Sequence, residues 1–338
     1  MFHEVLKLPA IRAAQALACS VAILLALNSI QTLVAQEIRH SFVVADSSKN
    51  LIAWIDEDGK TRWEQKIGPL HDLHVLQNGN LLFQINWTTV VEVDPRSDKE
   101  VFRYDASQLV SDSVKRVEVH AFQRLENNTT MIAVSGAAKL IEVDEVGQIV
   151  HQFDFNVPKP HPHTDTRLVR KLPSGNYLVC HESQGRVDEY DSSGAVVWSF
   201  EVPMFGRQAA KGHGLDAFGN KCFAALRLKN GNTLISTGNG HSVIEVTPAK
   251  EIAWKLEQDE LPGIRLAWVT TLQELPDGNL VIGNCHAGPA NPQLIEITRE
   301  KKVVWTFQDF ENFGNATTNS QILTTNGMQV DVTAGTNR

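Results

Sequence analysis

One phrase recurs along this chain and rules out most folds: a β-rich run, a tight turn, an apolar strand, a variable loop, an alternating strand, a second turn and a bulky ring. The first turn reads Gln77-Asn78-Gly79-Asn80, Ser174-Gly175-Asn176, Asn230-Gly231-Asn232 and Asp277-Gly278-Asn279, with Asn127-Asn128 as a weaker copy. Asn-Gly and Asp-Gly suit hairpins because their central residues tolerate positive φ, and asparagine tolerates it better than most residues with side chains. A further strand repeats at 51–55, 90–93, 140–143, 187–190, 243–246 and 294–297, closed by Asp56, Asp94, Asp144, Asp191, Thr247 and Thr298. The ring follows as Trp63, Phe102, His151, Trp198, Trp254 and Trp305.

Each unit supplies four short antiparallel strands over the length of a propeller blade. The expected fold is therefore all-β, a six-bladed propeller spanning 36–338. Five blades lie near 71–105, 117–156, 163–203, 220–257 and 266–310. The first, near 41–68, lacks its innermost strand. Ser320-Gln321-Ile322-Leu323, ahead of Asn326-Gly327, is expected to supply it from 319–330, closing the ring and removing an open sheet edge. Sandwiches would not repeat one phrase six times, and solenoid repeats are usually shorter. The recurring ring reads as packing between blades.

Residues 1–35 stand outside the repeat. Lys7 and Arg12 precede an apolar run at 16–27, and Leu33-Val34-Ala35 ends the segment, which predicts a secretory signal peptide cleaved after Ala35. An uncleaved anchor is the alternative, disfavoured by Gln15, Asn28 and Gln31. The expected location is periplasmic or secreted, with no stable membrane span after cleavage. Cys180, Cys222 and Cys285 would then remain, an odd set without a CxxC pair, so at least one thiol stays unpaired and they read as buried apolar residues. The net charge of −8 argues against nucleic acid as a partner.

In such a blade the connection entering the inner strand shares a face with the loop between strands two and three. The long stretches 104–118, 156–166, 203–221 and 257–268 gather there, where a rigid scaffold usually presents binding residues. Aligning the units on their turns puts His71, His120, Arg167, Phe223, Thr270 and Asn319 at one equivalent position, a ring around the channel mouth. His74, His161, His163 and Asp165 are near in sequence, and His181 and His286 are expected on loops of the same face. Arginine grips oxyanions through paired hydrogen bonds and histidine donates or shuttles protons. A ligand set of His71, His74, His120, His163, Asp165, Arg167 and His286 therefore points to a small anionic ligand, in a binding or interaction module; another exported protein is the other partner class. Solvated channels also hold polar side chains with no role beyond hydrogen bonding. His161 and His163 with His71 or His120 offer a divalent-metal alternative. Without a helix-spaced ligand pair or carboxylate cage, no metal is expected, and no cofactor is required.

The run from His71 to Asn80 and the Leu-Pro-x-Gly-Asn turns at 172–176 and 275–279 resemble aryl-sulfate sulfotransferase propellers. The Asp-x-x-Gly-x-x-x-Trp units at 56–63 and 191–198 are similar to pyrroloquinoline-quinone-like repeats. The resemblance implies an exported propeller. On its sulfotransferase side it implies that His71 or His120 carries a sulfuryl group while Arg167 clamps the anion, the enzymatic alternative to a binding module.

Overall fold

The computed structural model describes Met1, Glu37–Asp331 and Arg338. The expected signal peptide therefore lies outside the described residues, Met1 apart. Two units divide at Glu37, and the second, Ile38–Arg338, is the propeller.

The first-blade strands are β1 (His40–Asp46), β2 (Leu51–Ile55) and β3 (Thr61–Lys66), followed by blade two, β4 (Leu73–Val75), β5 (Leu81–Gln84), β6 (Thr89–Asp94) and β7 (Lys99–Asp105). Blade three is β8 (Glu118–Arg124), β9 (Thr130–Ser135), β10 (Lys139–Val143) and β11 (Ile149–Asp154). Blade four is β12 (Val169–Lys171), β13 (Tyr177–His181), β14 (Arg186–Tyr190) and β15 (Val196–Glu201). Blade five is β16 (Ala224–Arg227), β17 (Thr233–Ser236), β18 (Val243–Val246) and β19 (Ile252–Leu256). Blade six is β20 (Val269–Glu274), β21 (Leu280–Asn284), β22 (Leu294–Ile297) and β23 (Val303–Phe307), and the chain ends its sheets with β24 (Thr317–Thr325) and β25 (Met328–Gln329).

Six antiparallel sheets result, and β24 takes the innermost place beside β1. Phe42 pairs with Ile322 and Val43 with both Gln321 and Trp54, so tail and head share one sheet and the ring is closed as expected. The turns behave as their residues require: Gly79 and Gly278 sit at φ +83° and +85°, and Asn128 holds the same region at +65° in the weaker copy.

Apolar side chains of adjacent blades form the core between sheets. Between the first two blades, Val43, Ile52, Leu73, Leu81, Phe83 and Val91 interlock, each worth about 1.5–3 kcal/mol of burial. Glutamines lace the inner strands together: Gln321 binds the Val75 amide at 2.8 Å, Gln123 that of Lys171 at 2.9 Å and Gln273 that of Ile322 at 2.8 Å. The recurring rings do pack between blades. Indole Nε1 of Trp63, Trp198 and Trp254 donates to Asp98, Pro248 and Arg299 of the following blade.

A second ladder runs along the turn face. The third-strand glutamates Glu92, Glu189, Glu245 and Glu296 each accept from the asparagine that ends their own first turn, Asn80, Asn176, Asn232 and Asn279, at 2.6–2.8 Å. A basic side chain of the next blade completes each: Arg124 for Glu92, Arg227 for Glu189, Arg299 for Glu245 and His40 for Glu296. The weaker third-blade turn has no such asparagine, and Glu142 instead takes Lys171 at 2.6 Å and the Tyr177 hydroxyl at 2.5 Å.

Candidate functional site at the channel mouth

His71, His120 and Arg167 enter the mouth just before or at the start of inner strands in three successive blades. His120 is raised by a β-bulge: Val119 pairs with Val134 and Ala121 with Ala133, leaving His120 unpaired and re-aimed. Its Nδ1 lies 2.6 Å from Nδ1 of His71, whose carbonyl accepts from Asn319 at 3.0 Å. The His163 ring stands 5.8 Å from His71 and 5.4 Å from His120, and Trp87 makes T-shaped contacts with all three imidazoles. Phe223, at the same repeat position in blade five, flanks His71 at 5.8 Å.

Two carboxylates complete the group. Glu118 Oε2 accepts from His163 Nδ1 at 2.7 Å and lies 3.4 Å from His120 Nε2, while Arg116 pairs with its other oxygen. Glu182 pairs with Arg167 and, at 3.2 Å, with Lys221. The Arg167 guanidinium also donates to the His163 carbonyl, which ties the loop to blade four.

Burial sets the charges. Desolvation, reinforced by the Arg167 charge, holds His71 well below the ordinary imidazole range and lowers His120 to about 4, so both are neutral at pH 7. Burial pushes Glu118 upward, yet hydrogen bonds from His120 and His163 outweigh it and keep the carboxyl far below the usual range. The mouth thus holds an ionised carboxylate beside neutral imidazoles.

The other expected residues have different places. Asp165 accepts from the Gly136 and His161 amides and is fully buried, so it anchors the loop carrying His163. Gly136, at φ +84°, permits this, because a Cβ there would fall 2.2 Å from the Arg116 carbonyl and 3.1 Å from Pro162 Cα. His74 lies in a separate buried network: Nε2 contacts the Phe122 carbonyl at 2.7 Å, and Asp72 Oδ2 at 3.4 Å joins it to the doubly bonded Asp72–Arg170 pair. Arg338 reaches the same place, 3.1 Å from His74 Nδ1. His286 packs with His213 and Trp268, the indole over which Lys221 lies. His181 is a correction: it ends β13, fully buried between the Asp165 carbonyl and the Tyr190 hydroxyl, rather than lying on a loop. His161 is exposed, its Nδ1 accepting from the His163 amide at 3.1 Å. Cys180, Cys222 and Cys285 are all free and buried.

Sequence reasoning missed Glu118, Glu182 and Trp87. Glu118 lies two residues before His120 on one strand, and Trp87 and Glu182 occupy the loops between strands two and three, so the loop assignment already pointed to that face.

Residues 41–307 match the family model described as outer membrane protein assembly factor BamB, a pyrroloquinoline-quinone-like repeat family. The chain belongs to that family. Membership in the BamB family agrees with the quinone-type half of the resemblance and gives no support to the sulfotransferase half. No curated protein matches in sequence. A solved protein of unknown function from Bacteroides caccae superposes with a TM-score of 0.68 at 23% identity, covering 83% of this chain and 98% of the other. A streptogramin B lyase gives 0.55 at 11%, covering 81% and 84%. A catalytically inactive virginiamycin B lyase from Staphylococcus aureus with quinupristin gives 0.54 at 12%, covering 83% and 88%. At these identities the likeness is one of fold. Among the described residues no helix is long and apolar enough to cross a membrane.

Proposed function

We propose that this chain is an exported recognition propeller whose working surface is the mouth over blades two to four, where it takes a small anionic group. The observation that carries this reading is the meeting of His71, His120, His163 and Trp87 with the cations Arg116, Arg167 and Lys221 around the carboxylates Glu118 and Glu182. Imidazole N–H groups and the half-exposed Lys221 offer donors to an incoming oxyanion, while Arg167 supports them from beneath. Export is supported by the leader-like composition of residues 1–35 and by the outer-membrane description of the family.

Calorimetric titration of the purified protein with sulfate, inorganic phosphate and succinate, with and without divalent metal, tests the ligand class. At least one should bind saturably, at least tenfold more weakly in His163→Ala and Lys221→Ala. Failure of all three under both conditions, or affinity indifferent to both variants, overturns the reading. Accumulation of the native full-length chain in the cytoplasm of an expressing bacterium would overturn the exported location.

A further inference from the structure

Glu118, His120 and His163 bring one donor atom apiece into a group within 4.8 Å of one another, a geometry that can hold a metal ion. Glu118 Oε2 stands 2.7 Å from His163 Nδ1 and 3.4 Å from His120 Nε2. Zinc at about 2.0–2.1 Å from each of three ligands needs them roughly 3.4 Å apart, so a small opening of the His163 side seats the ion. We infer that Glu118, His120 and His163 form a divalent transition-metal site of the zinc class, with one coordination position left open at the mouth.

Three features of the surroundings support it. Two imidazoles and a carboxylate form a donor set suited to zinc rather than calcium or magnesium, which prefer all-oxygen shells. His120 Nε2 faces two oxygens that only accept, Glu118 Oε2 and, at 3.1 Å, the Pro162 carbonyl. A lone pair there is repelled unless a proton or a cation lies between. The contact from His120 Nδ1 to His71 Nδ1 supplies the alternative: once Nδ1–H of His120 donates to His71, Nε2 is free to ligate and its ring is held in orientation. An imidazole ligand whose far nitrogen is hydrogen-bonded is the usual outer arrangement of metal sites, which makes His71 a positioning residue.

The inference deepens the anion reading, because the open position would anchor the anionic group; the metal itself stands without it. Titrating the full purified chain with Co2+ should give the visible absorption of a low-coordinate N/O site saturating at one equivalent, displaced by Zn2+. His163→Ala, on a half-exposed loop, should weaken binding at least about 100-fold with an unchanged circular dichroism spectrum, and His71→Phe by about 10–100-fold at the same stoichiometry. His151→Ala, on the outer strand of blade three, should bind like the native chain. Absence of saturable Co2+ binding, or native affinity in His163→Ala, overturns the site. Adding sulfate, phosphate or succinate to the Co2+ protein separates the two readings: a spectral change supports the anchor. Metal binding with no anion response, with or without metal, overturns the anion reading alone, and equal anion binding by metal-free protein overturns the anchoring role alone.

Discussion

The turn face and the mouth both place buried glutamates against cations, yet they do so on different terms. On the turn face the motif is iterated: Glu92, Glu189, Glu245 and Glu296 each receive an asparagine from their own blade and a base from the next. At the mouth Glu118 and Glu182 stand outside that iterated motif, and each collects more than one positive or imidazole partner. A device repeated at nearly every joint fastens the joint. A device built once, over three blades, is better explained by something that arrives there.

The contrast predicts stability effects on one face and binding effects on the other. Glu189→Ala should cost the most, about 3–4 kcal/mol in urea unfolding, because it strands Arg227 and Asn176 without their partner. Replacing Glu189 and Arg227 together by methionine should recover most of that. If it does not, the turn-face pairs do more than satisfy one another.

Next comes acid. Burial lowers His181 to about 4, against an unfolded value near 6.5. Between these values only the unfolded chain binds the proton, so stability falls as pH drops through the window, by on the order of 3 kcal/mol for this residue at the limit. Urea midpoints between pH 7 and pH 4 should show the fall, and His181→Gln should make it shallower by this residue's share, the buried His71 and His120 supplying part of the rest. An unchanged slope would mean that burial does not keep this ring neutral.

Gly136→Ala should cost about 2 kcal/mol for its positive φ and close approach, and should reduce ligand or metal binding disproportionately by lifting the loop that carries His163. Smallest is His163→Ala, expected below about 1 kcal/mol in stability despite its large effect on binding. A stability loss as great as that of Glu189→Ala would erase the distinction between the faces.

The ring was legible because the Asn-Gly turns and third strands recur at fixed offsets, and the same alignment brought His71, His120 and Arg167 to one mouth. Repetition could not reveal what is not repeated. Trp87 and Glu182 lie in loops whose lengths differ from blade to blade, so no offset marked them, and Glu118, which opens β8, shares its offset with residues of unlike chemistry. His181 was misplaced for a different reason: proximity in sequence says nothing about whether a polar side chain faces the channel or binds backbone behind it. The turn-face glutamates were in plain view at each third strand, but their basic partners come from the next repeat, a relation that exists only once the sheets are stacked.

The pairing of β24 with β1 brings together residues as far apart as His40 and Thr325, 285 positions along the chain. A growing polypeptide therefore carries its opening three strands with a raw hydrogen-bonding edge until almost all of it has been synthesised. Such long separation slows folding and leaves unfinished molecules adhesive, so a chain cut short of Thr317 should associate with others while a full-length one stays dispersed.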